Sequence, residues 1–267
     1  MILSVDTVHH AIKVTSILRD SLVPVEGHNV QKINAAYAFG GAELAIKTIN
    51  QAFDLNIRDY ATVNFAGMAE IIDAMGGIEV DVNEAERNNA NIHLKWMAIE
   101  SGTKNTPITK SGLQTLNGIQ AVAFARIRKV STSDAVPDDF GRTDRQRYVM
   151  EQLFNKALSL GKSKYPGLIK SLLPHTETSL TYSDILNLAG VLTGDIHFEQ
   201  LRMPDSYSMT ISTKDYPSSL GSVVYYNLDY ATEMMHAFIY DDVQQKDFMA
   251  ANPIDRTPWY TTWAANR

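Results

Sequence analysis

Residues 60–82 read YATVNFAGMAEIIDAMGGIEVDV, and the spacing of the apolar residues changes twice within them. YATVNF reads as a strand. AGMAEIIDAMGG follows as a helix that Gly76 or Gly77 closes. In GIEVDV, Ile78, Val80 and Val82 alternate with Glu79 and Asp81, the pattern of a strand with one face in a core. Strand, helix and strand in so short a span point to an α/β architecture.

The alternation continues in both directions. Upstream, MILSVD and HAIKVTSIL, joined by a short polar turn, read as a hairpin. A loop with Pro24, Gly27 and Asn29 follows, and then GGAELAIKTINQAF sets Ala45, Ile49 and Phe53 at helical spacing. Downstream, residues 83–112 look like a polar excursion, and LNGIQAVAFA reads as a short helix entered at Asn117. RYVMEQLFNKALSLG places Val149, Leu153, Ala157 and Leu160 on one face of an amphipathic helix. SDILNLAGVLTG and YATEMMHAFIY are further helices, with FEQLRMP a strand between them. The expected fold is α/β, three layers α-β-α around a central mixed sheet. From about Asp242 onward, Pro253, Pro258 and two tryptophans fit no periodic template.

Composition excludes several function classes. The 267 residues carry a net charge of −6 and a pI near 5.6, which argues against a nucleic-acid binder. There is no cysteine, so disulfides, thiolate metal sites and cysteine nucleophiles are out. No stretch approaches the roughly 20 apolar residues that span a bilayer. MILSVD lacks the basic start of a signal peptide and runs straight into a strand, so a missing beginning, with any anchor, is expected upstream of Met1. P-loop, GxGxxG, GxSxG and HExxH motifs are absent. His9 and His10 are neighbours on an expected strand and point to opposite faces, so they do not share a metal. Glu79 and Asp81 share a face that either binds a hard cation or is simply wet.

Against the acidic background, residues 124–147, FARIRKVSTSDAVPDDFGRTDRQR, hold five of eleven arginines. Arg126 and Arg128 share a face in extended chain. Arg142 and Arg145 share one side of a helical turn. Thr143 and Gln146 have capping-box spacing, so a helix is expected to start there, with Arg145 and Arg147 in its first turn. Cations there cost about 0.3–1 kcal/mol each, a cost that makes sense if guanidiniums and helix N–H groups hold an anion together. Guanidinium forks match phosphate geometry, and several converging suit a pyrophosphate. The plain alternative is a solvated loop neutralised by Asp134, Asp138, Asp139 and Asp144. Arg19, at a strand end, and Lys32 are further candidates for the cluster.

The order SILRDSL, KINAAYAFGGAELAIKTI, FAGMAEIIDAMGGIEVDV, LNGIQAVAFARIR and DDFGRTDRQR resembles the LytR-CpsA-Psr family from Met1 to roughly Tyr240. FARIR followed by D-x-x-R-x-x-R-Q is the most specific part. The resemblance implies a catalytic domain over 1–242 with a tail over 243–267. It also implies an apolar lipid tunnel between sheet and helices, with helices 41–53 and 66–75 as candidate linings. The implied activity is transfer of an anionic glycopolymer, wall teichoic acid or capsular polysaccharide, from undecaprenyl pyrophosphate to peptidoglycan, with a pyrophosphatase side activity. A polyprenyl-phosphate-binding module without turnover is the alternative. Magnesium is the implied cofactor, and the implied place is the outer face of a Gram-positive cell membrane, without nucleic acid.

Position by position, the resemblance makes Arg126, Arg128 and Asp139 the catalytic candidates, Asp139 either as a base or as an orienting ion-pair partner. Arg19, Lys32, Arg126, Arg128, Arg142 and Gln146 are the pyrophosphate-binding candidates. The family's acidic metal-binding segment is expected upstream of Met1, so no metal ligand is assigned.

Overall fold

A computed structural model describes residues 1–128, 130, 139–191, 196–205, 208–211 and 218–254. The chain begins with strands β1 (Ile2–Asp6), β2 (Ala11–Ile17), β3 (Leu22–Val25) and β4 (Asn29–Lys32), then helix α1 (Ile33–Phe53). β5 (Ala61–Val63), α2 (Phe65–Ala74), β6 (Ile78–Val82), α3 (Glu84–Ser101), β7 (Gly112–Leu116) and α4 (Gly118–Ala125) follow. Next come α5 (Asp139–Leu160), α6 (Tyr165–Leu172), β8 (Thr176–Thr178) and α7 (Tyr182–Val191). The described elements end with β9 (His197–Met203), β10 (Met209–Ile211), β11 (Val224–Tyr226), α8 (Leu228–Tyr240) and α9 (Gln245–Ala251). The protein is α/β with a mixed sheet, as the alternation of periods requires.

The chain divides into two compact units, Met1–Tyr60 with Gly194–Arg267, and Ala61–Thr193. In the first, β2 pairs antiparallel with β1 and parallel with β9. A strand flanked on both sides and covered on both faces is buried throughout, and Ala11 to Ser16 are. This traps Lys13, fully buried, with its Nζ 2.7 Å from Asp6 Oδ2 and 2.8 Å from Asp242 Oδ1. α1 is kinked at Gly40 and Gly41. His10 has a left-handed backbone (φ 52) in the turn of the hairpin, so His9 and His10 are turn residues rather than strand neighbours. Residues beyond Asp242 are not all irregular. α9 packs the buried Phe248 edge-on against Tyr230 of α8, ring centroids 5.4 Å apart. Seven residues are too few to show a helical period. Trp259 and Trp263 lie outside the described residues.

In the second unit, β6 alternates buried Ile78, Val80 and Val82 with exposed Glu79 and Asp81 and pairs antiparallel with β7. Gly77, at φ 84, makes the turn from α2 into β6. α2, α3, α4 and α5 close over a core containing Ile72, Leu94, Phe124, Ile127, Val149 and Leu153. The polar excursion over 83–112 is in fact mostly helix, the 18 residues of α3. Only Glu86, Ala90 and Leu94 are buried there, while Ile92, Trp96 and Ile99 are exposed. Apolar residues on the wet face erase the one-sided pattern that marks an amphipathic helix. A local signal was present, the N-x-x-E of a capping box. The Asn83 side chain accepts the Glu86 N–H at 2.9 Å, and Glu86 Oε2 accepts the Asn83 N–H at 3.1 Å.

Candidate functional site

α4 carries the first two arginines. Asn117 Oδ1 accepts the Gln120 N–H at 3.0 Å and Gln120 Oε1 accepts the Asn117 N–H at 3.2 Å, so the helix starts where the sequence placed it. It ends at Arg126, at the negative pole of the helix dipole, where a cation is favoured. The Arg126 guanidinium lies 4.8 Å from the ring centroid of Phe65, the first residue of α2. Ile127 is fully buried and Arg128 exposed, so the two arginines flank an inward residue. Arg126, however, is in helical geometry (φ −91, ψ −9) rather than the extended chain that the shared-face reading assumed.

Both guanidiniums act on His93. This half-buried imidazole lies seven residues beyond Glu86 and three beyond Ala90, on the inward side of α3. Burial first, then the charges of Arg126 and Arg128, hold its pKa below the ordinary histidine value. An unfolded histidine takes up its proton at about pH 6.5, before the folded one does. The stability contributed by neutral His93 is therefore present above that pH and lost as pH falls below it. Denaturant unfolding at pH 7.5 and 5.5 is expected to show a smaller pH difference in His93→Gln than in the wild type. An equal difference would remove His93 from this part of the pH dependence.

Helix α5 begins at Asp139, four residues before the position expected from the T-x-x-Q spacing. Thr143 is inside the helix and buried, so it is no cap. Arg145 and Arg147 lie beyond the first turn, where the dipole penalty has faded. Arg142 and Gln146 are half-buried and one turn apart on a common face. Arg147 pairs with Asp144, the local neutralisation of the plain alternative. The side chain of Asp139, with Asp134 and Asp138, lies outside the described residues.

Arg145 does something its sequence position gave no hint of. It turns into the core, 1% exposed, and its Nε donates to Glu86 Oε1 at 3.0 Å. One terminal nitrogen donates to the Val130 carbonyl at 2.7 Å, and the other makes a long contact of 3.5 Å with the Ile127 carbonyl. Its Cζ is 5.9 Å from the Phe124 ring centroid.

In the other unit, Arg19 and Lys32 meet around one carboxylate. Lys32 Nζ is 3.1 Å and Arg19 Nε 3.7 Å from Asp20 Oδ1. The turn after β2 also supplies the carbonyls of Ser21 and Arg19 to the Ile33 and Asn34 N–H groups that open α1. Among the described residues, the group whose side chains could hold a metal is Asp6, His9 and Asp242. The Lys13 ammonium stands between the two carboxylates instead, and His9 Nδ1 is 2.9 Å from Asp6 Oδ2. That donor set is satisfied by a lysine and does not fit magnesium. Sequence reasoning missed Glu86 and His93, both on the helix hidden in 83–112.

Known proteins share both sequence and fold with this chain. The polyisoprenyl-teichoic acid–peptidoglycan teichoic acid transferase TagU of Enterococcus faecalis is 34% identical over 176 residues, 65% of this chain and 52% of the relative. The chain thus spans about half the length of the curated relatives it matches. The structure of protein gbs0355 from Streptococcus agalactiae superposes with a TM-score of 0.71 at 24% identity, covering 90% of this chain and 77% of that one. A structure of YwtF (TagT) with bound octaprenyl pyrophosphate lipid superposes at 0.64 and 19% identity, covering 89% and 82%. The order of motifs from SILRDSL to DDFGRTDRQR, the α/β fold and a family model matching residues 1–227 agree: the chain belongs to the LytR_cpsA_psr family.

Proposed function

We propose that this chain carries the transferase chemistry of an enzyme that moves an anionic glycopolymer from a polyprenyl pyrophosphate carrier onto peptidoglycan, at the outer face of the membrane. The observation that carries the reading is the pair Arg126 and Arg128, presented on either side of buried Ile127 at the C-terminal end of α4. Family membership and the teichoic acid transferase named among its relatives support it. In the proposal an apolar tunnel holds the polyprenyl chain. The polymer is a teichoic acid or a capsular polysaccharide.

The reaction is a phosphoryl transfer. A peptidoglycan sugar hydroxyl attacks the phosphorus that bears the polymer and gives its proton to a carboxylate base, for which Asp139 is the candidate. The bond from that phosphorus to the bridging oxygen breaks, and polyprenyl phosphate leaves with the electron pair. Charge grows on the leaving phosphate, where fixed guanidiniums stabilise it without reorganising. Arg126 and Arg128 fill that role, with Arg142 and Gln146 as further donors. Arg19 and Lys32 are the candidate anion partners in the other unit, already sharing Asp20. Magnesium would supply further charge neutralisation, but the described residues offer it no fitting ligand set.

The test is transfer of labelled polymer from a polyprenyl-pyrophosphate-linked precursor to peptidoglycan. Arg126→Ala and Arg128→Ala are each expected to lower kcat by about 10²–10³, the usual effect of removing one charge-stabilising donor. Full activity in both variants sinks the proposal. Tight lipid binding with no transfer by the wild type would instead indicate a carrier-binding module.

A further inference from the structure

Arg145 heads the fully buried side chains by volume among the described residues, and a buried guanidinium is costly. Stability alone does not explain it, since apolar residues of similar volume often replace buried ion pairs at no loss. Its contacts say more. Glu86 uses one carboxylate oxygen to cap α3 and the other to accept from Arg145. The remaining two arms of the guanidinium reach the carbonyls at either end of residues 127–130. The Ile127 N–H still closes a last turn on the Phe124 carbonyl at 3.2 Å. At 128 and 130 the chain is neither helix nor strand, so no ladder of backbone hydrogen bonds fixes its path there. This segment carries Arg128 and follows directly on Arg126.

We propose that Arg145 is a positioning residue. By joining the first turn of α3, α5 and the carbonyls of Ile127 and Val130, it fixes where Arg126 and Arg128 point. The inference rests on the anion-binding role assigned to those two arginines. Lysine cannot substitute, because its three N–H donors radiate from a single nitrogen. Nε and the two terminal nitrogens of the planar guanidinium are separate donor centres that each reach a different partner. The pair also links residues 59 apart in sequence, so the α3 helix becomes a structural support of the site.

The test uses Arg145→Lys, which keeps the charge and the pairing with Glu86. Two readouts are followed: the NMR titration of His93, whose neighbours are Arg126 and Arg128, and calorimetric binding of inorganic pyrophosphate. If the two arginines are released, the His93 pKa rises toward the ordinary histidine value and pyrophosphate affinity falls by about tenfold or more. A His93 titration and an affinity both unchanged from the wild type overturn the inference. If the wild type does not bind pyrophosphate, the anion-site reading fails, and the His93 titration alone decides the positioning role. Should Arg145→Lys not fold, arginine Nε–H spectra of the wild type decide. Pyrophosphate is expected to shift the Arg126 and Arg128 signals and leave that of Arg145 in place and slow to exchange. A comparable shift at Arg145 would make it a ligand contact and overturn the proposal.

Discussion

Lys13→Met is expected to cost about 3 kcal/mol at pH 7. Removing one partner of a buried ion pair typically costs about 3–5 kcal/mol, and the lower end applies because Asp242 keeps 32% of its side chain in water. Methionine fills the space of the lysine stem, so the loss isolates the charge. Two carboxylates then face one another without the ammonium between them, and the His9 imidazole is left beside Asp6.

The pH dependence identifies the cause. Burial opposes the charge on Asp6, but the hydrogen bonds from Lys13 and His9 outweigh it and hold the carboxyl well below the usual range. For Lys13, burial is likewise overcome by hydrogen bonds to Asp242 and Asp6, and its pKa is raised. A lowered carboxylate contributes stability that is present above its unfolded value, about 3.9, and is lost as pH falls through the folded one. A raised lysine contributes stability that is present below about 10.4 and is lost above it. The gap between wild type and Lys13→Met is therefore widest between about pH 5 and 9 and narrows in acid. Urea denaturation at pH 3 and pH 7 measures it, and Asp6→Asn combined with Lys13→Met should recover part of the loss. A gap of equal size at both pH values would assign the effect to packing instead.

Gly118→Ala is expected to be at least as damaging. A Cβ at position 118 would stand 1.9 Å from the Ala69 carbonyl oxygen, and backbone cannot rotate aside as a side chain can. The same glycine donates its N–H to Asp73 at 2.7 Å, so α4 is drawn against α2 at its first residue. Overpacking costs about 1–3 kcal/mol and occasionally more. A rigid clash of this depth belongs at or above the top of that range, a fall in Tm of roughly 6–12 °C. Because α4 ends at Arg126, pyrophosphate binding should weaken as well. Gly190→Ala on α7 is the control. Nothing lies within 4 Å of a Cβ there, so it should stabilise by up to about 1 kcal/mol through helix propensity. Thermal unfolding of both variants decides, and an unharmed Gly118→Ala would mean that the two helices separate at little cost.

The two glycines are alike in sequence, each within or opening a short apolar helix. Their opposite expected effects depend on a neighbour 49 residues away for Gly118, and on open space for Gly190. The same division runs through the candidate site. Arg126 and Arg128 were legible as a pair by their closeness in sequence, but not by extended-chain alternation, since Arg126 caps α4 in helical geometry (φ −91, ψ −9). Arg142 and Gln146 are assigned only through the family resemblance, while helical spacing pairs Arg142 with Arg145. Arg145 was counted with Arg142 on those local grounds, yet it points into the core. Its partner Glu86 sits in a segment whose exposed Ile92, Trp96 and Ile99 disguised the helix. Lys13 is a comparable case. Its burial comes from pairing with β9 and from Asp242, both far along the chain.

What the sequence determined by itself is what neighbours within a few residues enforce. The switch of period over residues 60–82 made the protein α/β, the Asn117 cap started α4, and the motif order placed the chain in its family. Those signals arise from backbone geometry and hydrogen bonds that close within one helical turn or one strand pair. The tertiary structure decided which charges face water and which are consumed inside. A buried charge persists only where partners from distant segments satisfy it, and no local pattern records their arrival. For Arg145, Glu86 and Lys13 that arrival is set by the packing of α3, α5, β2 and β9, and it is there that the two readings part.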